Sequence, residues 1–218
     1  MAALKNTRIE RVNTSANDCV KELRFRRLLT PSEWTGLPAT TTARFGKYLA
    51  DGQTKHYLGH ILNTDMNFFG KCLSTLMRLF NAPLPLETKN TGAEAHVTVT
   101  GENGAQIWNR KYNSNKGAAQ LISSRKQFTG PTGLEEMLGY GIGMTLKLSA
   151  DADSIYFTAD RFFMTFYGHR VYLPSFATPG HLTITHTDLG NGSFCFGMTL
   201  NHRLFGNLVN QNVLFTDA

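Results

Sequence analysis

The chain has 218 residues, 41% of them hydrophobic, which suits one globular domain with a sizeable core. Its net charge of +6 is concentrated near the start: residues 1–60 carry ten Lys and Arg against five Asp and Glu, and the remainder carries twelve against eleven. A nearly neutral remainder argues against nucleic acid as a partner, because phosphate binding needs concentrated positive charge.

The sequence lacks the features of membrane-spanning, secreted and zinc-binding proteins. No apolar run approaches the roughly 18 residues of a membrane-spanning helix, and the first residues lack the apolar core of a signal peptide. The three widely spaced cysteines form neither a disulfide framework nor a zinc pattern. We therefore expect a cytoplasmic protein. The basic N-terminal segment suggests weak association with an anionic membrane surface, with a solvated helix face as the alternative. Oligomeric state stays open.

The first elements are a flexible arm and short helices. Residues 1–19 are polar and rich in Asn, Thr and Ser, which predicts an arm before one domain at residues 20–218. A basic helix is predicted from Val20 to Leu29. Thr30 can cap a further helical turn that has Pro31 at its first position.

One strand and the main helix come next. Residues 55–62 favour a strand by composition, although the spacing of His56 and His60 also suits a helix. A long helix is then predicted from Asp65 to Phe80, with Thr64 or Asp65 as its cap. Its apolar residues recur at the helical period, which indicates a core-facing side. These residues are Met66, Phe69, Leu73, Leu76, Met77 and Phe80.

The rest of the chain, from about residue 95 to 215, alternates apolar and polar residues with a period of two. This pattern predicts antiparallel strands, most clearly at 142–148, 154–159, 181–186 and 193–200. The Asn103-Gly104 pair predicts a hairpin turn. The glycine-rich run at 139–143 leads into a strand rather than a helix, so we interpret it as a strongly curved strand and not as a nucleotide-binding loop.

The predicted fold is therefore α+β. It consists of a strongly curved antiparallel sheet or partial barrel of about 8–10 strands, one long helix packed across it and an N-terminal helical arm.

Several short motifs occur in a characteristic order along the chain. They are Phe25-Arg-Arg-Leu-Leu29, Trp34 with Leu37-Pro38, Asn81-Ala-Pro-Leu-Pro85, Trp108-x-Arg110-x-Tyr112, Leu173-Pro174, Gly192-x-Phe194-x-Phe196 and Leu204-Phe-Gly-Asn-Leu208. Together they resemble the bacterial DUF4166 family over roughly residues 23–216. The family name denotes a domain of unknown function, so the resemblance implies no catalytic residues.

Candidate catalytic residues are Asp160, Arg161, His169 and His186. The first two are charges within a strand of aromatic residues, where they are costly unless paired or solvated. A surface ion pair at an exposed strand end is the alternative explanation. Seven histidines provide no HxH pair and no HExxH motif, so we expect no metal and no cofactor.

The leading functional hypothesis is binding of an apolar small molecule or lipid between the sheet and the helix. Methionine and phenylalanine are frequent in the strands, and methionine adapts to irregular apolar pockets. A dry, filled core would use the same residues. The second hypothesis is a cofactor-independent isomerase or cyclase that acts on a hydrophobic substrate. Candidate ligand contacts are Phe69, Leu73, Met77, Trp108, Met144, Phe157, Phe194, Phe196 and Met198.

Overall fold

The computed structural model describes residues 24–80, 84–85, 88–114, 117–129 and 133–217. The predicted arm at 1–19 and the start of the predicted helix at Val20 lie outside the described residues. A 3-10 helix at Arg26–Leu28 precedes α1 (Pro31–Gly36), α2 (Ala39–Gly46) and α3 (Phe68–Arg78). The strands are β1 (Thr54–Met66), β2 (Glu94–Glu102), β3 (Ala105–Tyr112), β4 (Gln120–Thr129), β5 (Gly133–Gly139), β6 (Ile142–Ala150), β7 (Ser154–Phe166), β8 (His169–Tyr172), β9 (His181–Gly190), β10 (Ser193–His202) and β11 (Gly206–Asp217).

The strands form a closed antiparallel barrel of ten strands in the order β6-β5-β4-β3-β2-β1-β11-β10-β9-β7, and β7 pairs again with β6. Closure depends on β7. One edge of β7 pairs with β6, and the other edge pairs first with β9 and then with β8. The prediction of a strongly curved sheet or partial barrel was therefore wrong, because β6 pairs with β7 and β1 pairs with β11, so the ring of strands is complete.

The prediction of a long helix packed across the sheet was also wrong. The helix α3 has 11 residues and lies at one end of the barrel, beside β11 and β1. It begins later than Asp65 because β1 continues to Met66, and Asn67 then caps the helix by accepting a hydrogen bond from the Gly70 N–H at 2.8 Å. We call this end of the barrel the α3 end.

The N-terminal helices cover the opposite end of the barrel, here called the α2 end. The cap predicted for α1 is confirmed: the Thr30 hydroxyl accepts from the Glu33 N–H, and the Glu33 carboxylate accepts from the Thr30 N–H at 2.8 Å. Phe25 and Phe45 pack edge to face, and both contact Phe157 inside the barrel. These aromatic contacts tie the N-terminal helices to the barrel core.

The local strand predictions are confirmed. Residues 55–62 lie in β1, and the four clearest strands lie in β6, β7, β9 and β10. Asn103 and Gly104 form the predicted β2–β3 turn, both with positive φ. No helix among the described residues is both long and apolar enough to cross a membrane.

The glycine-rich run at 139–143 contains a turn rather than a curved strand. Tyr140 and Gly141 have φ of 43° and 79° and join β5 to β6 as a two-residue hairpin. Gly143 makes room for an aromatic ring, since a Cβ there would lie 2.6 Å from the Phe163 ring. Gly141 therefore permits the tight β5–β6 turn, and Gly143 permits close packing against Phe163 on the outer face of the barrel.

Candidate ligand-binding cavity

The barrel encloses a cavity of about 410 Å³ beneath α3. Alternate residues of each strand point inward in a barrel, so β10 contributes Phe196, Met198 and Leu200 to the lining. The lining is mostly apolar. Ligand pockets typically measure roughly 300–1,000 Å³ and have mainly apolar walls with a few polar groups. The barrel interior therefore has the size and character of a small-molecule pocket.

The cavity reaches the surface at the α3 end. Leu76 on α3 lines the cavity and is 51% exposed, and Ala177, in the connection from β8 to β9, also lines the cavity and is exposed. The Ser74 hydroxyl lies 3.0 Å from the Leu84 carbonyl oxygen and 3.1 Å from that of Pro85. This contact holds Leu84 and Pro85 against α3. The mouth of the cavity is thus bordered by α3 and the β8–β9 connection.

A cluster of polar side chains interrupts the apolar wall on three adjacent strands. Arg110 projects from β3, Ser124 and Lys126 from β4, and Glu136 from β5. The Glu136 Oε1 atom lies 2.6 Å from Ser124 Oγ, 2.9 Å from Lys126 Nζ and 3.3 Å from Arg110 Nη2. Arg110 Nη1 also donates to Ser124 Oγ at 3.1 Å. One carboxylate oxygen thus holds the whole cluster together.

Burial and charge act in opposite directions on these groups. Burial raises the pKa of Glu136, but the charges of Lys126 and Arg110 and the Ser124 hydrogen bond outweigh it and lower the pKa to about 2. Burial lowers the pKa of Lys126 to about 8, although the charge of Glu136 opposes this shift. Near pH 7 both cations and the carboxylate are therefore charged.

The cluster therefore has one excess positive charge inside an apolar cavity. Among the described residues that line the cavity, Arg110, Lys126 and Glu136 are the charged ones. Lys126 Nζ lies 4.6 Å from the centre of the Trp108 ring, and Arg110 Cζ lies 5.6 Å from it. The ring face attracts cations, which reduces the cost of burying them.

The model of the DUF4166 family, a domain of unknown function, matches residues 37–215. The chain belongs to the DUF4166 family. No curated protein matches it. Among solved structures, the dehydratase domain of PpsC from Mycobacterium tuberculosis, in complex with C12:1-CoA, is 9% identical and covers 83% of this chain and 84% of that chain, with a TM-score of 0.21. A likeness this distant carries no weight for function.

The structure of this DUF4166 domain brings together most of the ligand contacts predicted from sequence. Two do not line the cavity: Phe69 stacks on Phe205 on the outside, with ring centres 4.1 Å apart, and Phe194 lines a smaller cavity of about 30 Å³ at the α2 end. The residues that line the main cavity are Leu73, Met77, Trp108, Met144, Phe157, Phe196 and Met198.

The four candidate catalytic residues lie outside the main cavity. Asp160 pairs with Lys147 at 2.5 Å on the outer surface, and Arg161 stacks over the ring of Tyr172. His169 is exposed on β8. His186 is buried near α2 at the opposite end of the barrel, so the structure does not assemble these four residues into one site.

At the α2 end, a buried ion pair attaches the helix α2 to β9. Arg44 Nη1 lies 3.3 Å from Asp188 Oδ2 and 3.5 Å from His186 Nε2, and the Thr40 hydroxyl also donates to Asp188. Burial raises the pKa of Asp188, but the Thr40 and Gly190 hydrogen bonds and the Arg44 charge lower it overall. This arrangement fits a structural attachment of α2 to the barrel.

The polar cluster was not predicted as a site from the sequence. One signal was available: Glu136 lies in phase with Leu134 and Leu138 on the apolar side of a strand. A charge on a core-facing side needs a buried partner. The partner Lys126 is opposite Glu136 in the β4–β5 register, which the sequence does not reveal.

Proposed function

We propose that this DUF4166 domain binds an apolar small molecule or lipid inside its barrel. The observation that supports the proposal is the apolar cavity of about 410 Å³, which opens at the α3 end. Protein interiors are normally packed with few voids larger than a water molecule. Empty apolar space on this scale weakens a core, and a bound apolar ligand restores the lost contacts.

Binding can be tested with a neutral probe and a neutral competitor. Decanol should displace N-phenylnaphthylamine from the purified protein, with a loss of probe fluorescence. Native mass spectrometry of freshly purified protein should show a co-purified ligand. Absence of both results would refute the proposal.

Matched variants assign the binding to the cavity. Met198→Trp adds volume inside the barrel and should weaken decanol binding by roughly tenfold, because the larger side chain occupies the ligand's space. Leu121→Trp places the same ring at a position that is 62% exposed on β4 and should leave the affinity unchanged. Equal effects of the two variants would place the bound alcohol elsewhere.

A second candidate is cofactor-independent catalysis on a hydrophobic substrate. The observation that favours it is the primary amine of Lys126, 2.9 Å from a carboxylate in the wall of an apolar cavity. Such a pair can move protons at a bound substrate, and an unprotonated lysine amine can attack a carbonyl. Decanal followed by borohydride should then attach a decyl group to Lys126, with loss of water in the first step. No adduct, or equal labelling of Lys126→Met, would count against this candidate.

A further inference from the structure

We infer that the cavity ligand carries an acidic group, which Arg110 and Lys126 bind. The inference rests on the proposed function and specifies the chemistry of its ligand. An apolar molecule with one carboxylate would place its acid at the β3–β5 wall. Its chain would lie along the apolar side chains of the opposite wall, such as Phe196 and Met198.

The cavity wall carries more positive than negative charge. Lys126 and Glu136 have side chains that are only 6% and 5% exposed, and Arg110 is 20% exposed. Glu136 compensates one of the two cations, so one positive charge remains in the cavity wall. A buried charge is costly unless it is paired, and an anionic ligand would pair it.

Arg110 and Lys126 also have more hydrogen-bond donors than the polar cluster uses. Arg110 has five N–H donors and Lys126 has three. Within the part of the chain that the structure describes, they make three bonds to the cluster, two to Glu136 and one to Ser124. Both residues also line the cavity. A carboxylate has about four lone-pair sites and is a fitting acceptor for donors that face the cavity.

The experiment compares decanoate with decanol, which share a chain and differ in charge. Both should displace N-phenylnaphthylamine, and decanoate should bind more tightly. Arg110→Met leaves a neutral Lys126–Glu136 pair and should weaken decanoate by at least roughly tenfold, the effect of one charge-assisted hydrogen bond. Decanol affinity should stay within about twofold, because the alcohol does not need the excess charge.

A variant that removes the negative charge instead of a positive one keeps the test decisive if Arg110→Met folds poorly. Glu136→Gln removes the carboxylate that occupies Arg110 and Lys126, so a ligand carboxylate can take its place, and decanoate binding should strengthen, again with little change for decanol. If wild-type protein binds neither compound and carries no co-purified ligand, the proposed function fails. If it binds both equally and Glu136→Gln does not favour decanoate, cavity binding stands and the acid-binding inference is overturned.

The outer surface of the α3 end is strongly apolar. The six most exposed large hydrophobic side chains among the described residues, each at least 73% exposed, all lie on segments at this end. They come from α3 and its C-terminus, the β5–β6 and β7–β8 turns, the β8–β9 connection and the β10–β11 turn. We call them the apolar rim: Phe68, Leu79, Tyr140, Tyr167, Phe176 and Leu204.

The rim has the composition of a membrane-contacting surface. Its segments carry the basic residues Lys71, Arg78 and Arg203, and the described residues 68–80, 139–141, 166–168, 173–180 and 201–206 include no Asp or Glu. Apolar and aromatic side chains flanked by basic ones bind the interface of anionic bilayers. The mouth of the cavity lies between α3 and the β8–β9 connection, within this rim.

We propose that the apolar rim docks on an anionic lipid bilayer and so brings the cavity mouth to its surface. The full-length protein should co-sediment with vesicles of phosphatidylcholine and phosphatidylglycerol, and less with phosphatidylcholine alone. The double variant Phe176→Ser, Leu204→Ser should reduce the bound fraction at least fivefold. Leu189→Ser, which changes a residue 55% exposed at the α2 end, should not. The changed side chains are exposed and lie apart from the polar cluster, so the variants should still bind decanoate in the cavity.

Two outcomes would overturn the docking proposal. The first is equal vesicle binding by wild type and the double variant. The second is loss of binding in Lys5→Ser, Arg8→Ser, Arg11→Ser with full binding by the rim variant, which would assign the attachment to the basic N-terminal segment.

Discussion

Gly70 of α3 lies directly against the backbone of Leu208 on β11. A Cβ at Gly70 would be 2.0 Å from the Leu208 carbonyl oxygen, closer than any real contact, and 2.7 Å from Met66 Cγ. The Asn67 N–H donates to the same carbonyl at 3.3 Å. Because Gly70 has no side chain, α3, the helix that borders the cavity mouth, can pack directly on the backbone of β11.

We expect Gly70→Ala to displace α3 and to destabilise the protein by about 2 kcal/mol, because the backbone of β11 cannot move aside cheaply. Urea unfolding measures the change. Gly36→Ala is the matched control, since a Cβ there meets nothing within 4 Å, and it should be neutral or slightly stabilising. An equal loss in both variants would contradict the close seating of α3.

Ser74→Ala should loosen the contact of α3 with Leu84 and Pro85. The Ser74 hydroxyl is fully buried and lies within hydrogen-bond distance of the Leu84 and Pro85 carbonyl oxygens. Its loss leaves at least one carbonyl without this donor and should cost about 1–3 kcal/mol. Hydrogen exchange of residues 68–80 should increase. Thr75→Ala, which changes an exposed hydroxyl on the same helix, is the control and should have a smaller effect.

Acid should destabilise the protein through Glu136. The folded-state pKa of Glu136 is about 2, against an ordinary value of 4.5. Because its folded pKa is depressed, the stabilisation is present above about pH 4.5 and is lost as pH falls towards 2. Between about pH 6 and 3 the wild type should lose about 2 kcal/mol more than Glu136→Gln. Urea unfolding at the two pH values is the measurement, and parallel losses would contradict the assignment.

Decanoate affinity should fall as pH rises through about 8, the pKa of Lys126 in the free cavity. Glu136 stays ionised over this range, so loss of the Lys126 proton removes the excess positive charge. The fall should approach tenfold per pH unit at most. Decanol should show no such trend, and Lys126→Met should give a flat decanoate profile. If decanoate affinity still fell with pH in Lys126→Met, another group would be responsible for the titration.

Several strands and the β2–β3 hairpin could be predicted because their signals are local, whereas the β5–β6 hairpin was mistaken for a curved strand. Alternation identifies β6, β7, β9 and β10, and the Asn103-Gly104 pair specifies a turn whose positive φ angles those two residues tolerate. Closure could not be predicted, because it depends on the pairing of β1 with β11, which lie far apart in the sequence. It also depends on β7, one edge of which pairs with both β9 and β8. The end of β1 was misassigned because an apolar residue such as Met66 fits a strand and a helix equally.

The polar cluster illustrates the same limit for the site. Lys126 and Glu136 are partners in the β4–β5 register, and Ser124 lies opposite Trp108 in the β3–β4 register. A shift of one residue would turn each side chain to the other face of the barrel. Most of the apolar lining could be predicted from composition and from the period of two. The position of the polar cluster could not, because it depends on the register of three strands.

The pairing order also has a consequence for how the chain folds. Most neighbours in the barrel are joined by short connections, whereas β1 and β11 are separated by about 150 residues and close the barrel through pairs such as Ile61 with Val213. Distant contacts carry the largest loop-closure cost, so this seam should form last. Until the final strand reaches the first, the chain has two open sheet edges and no enclosed space. The proposed ligand should therefore enter only after the last strand of the barrel has been synthesised.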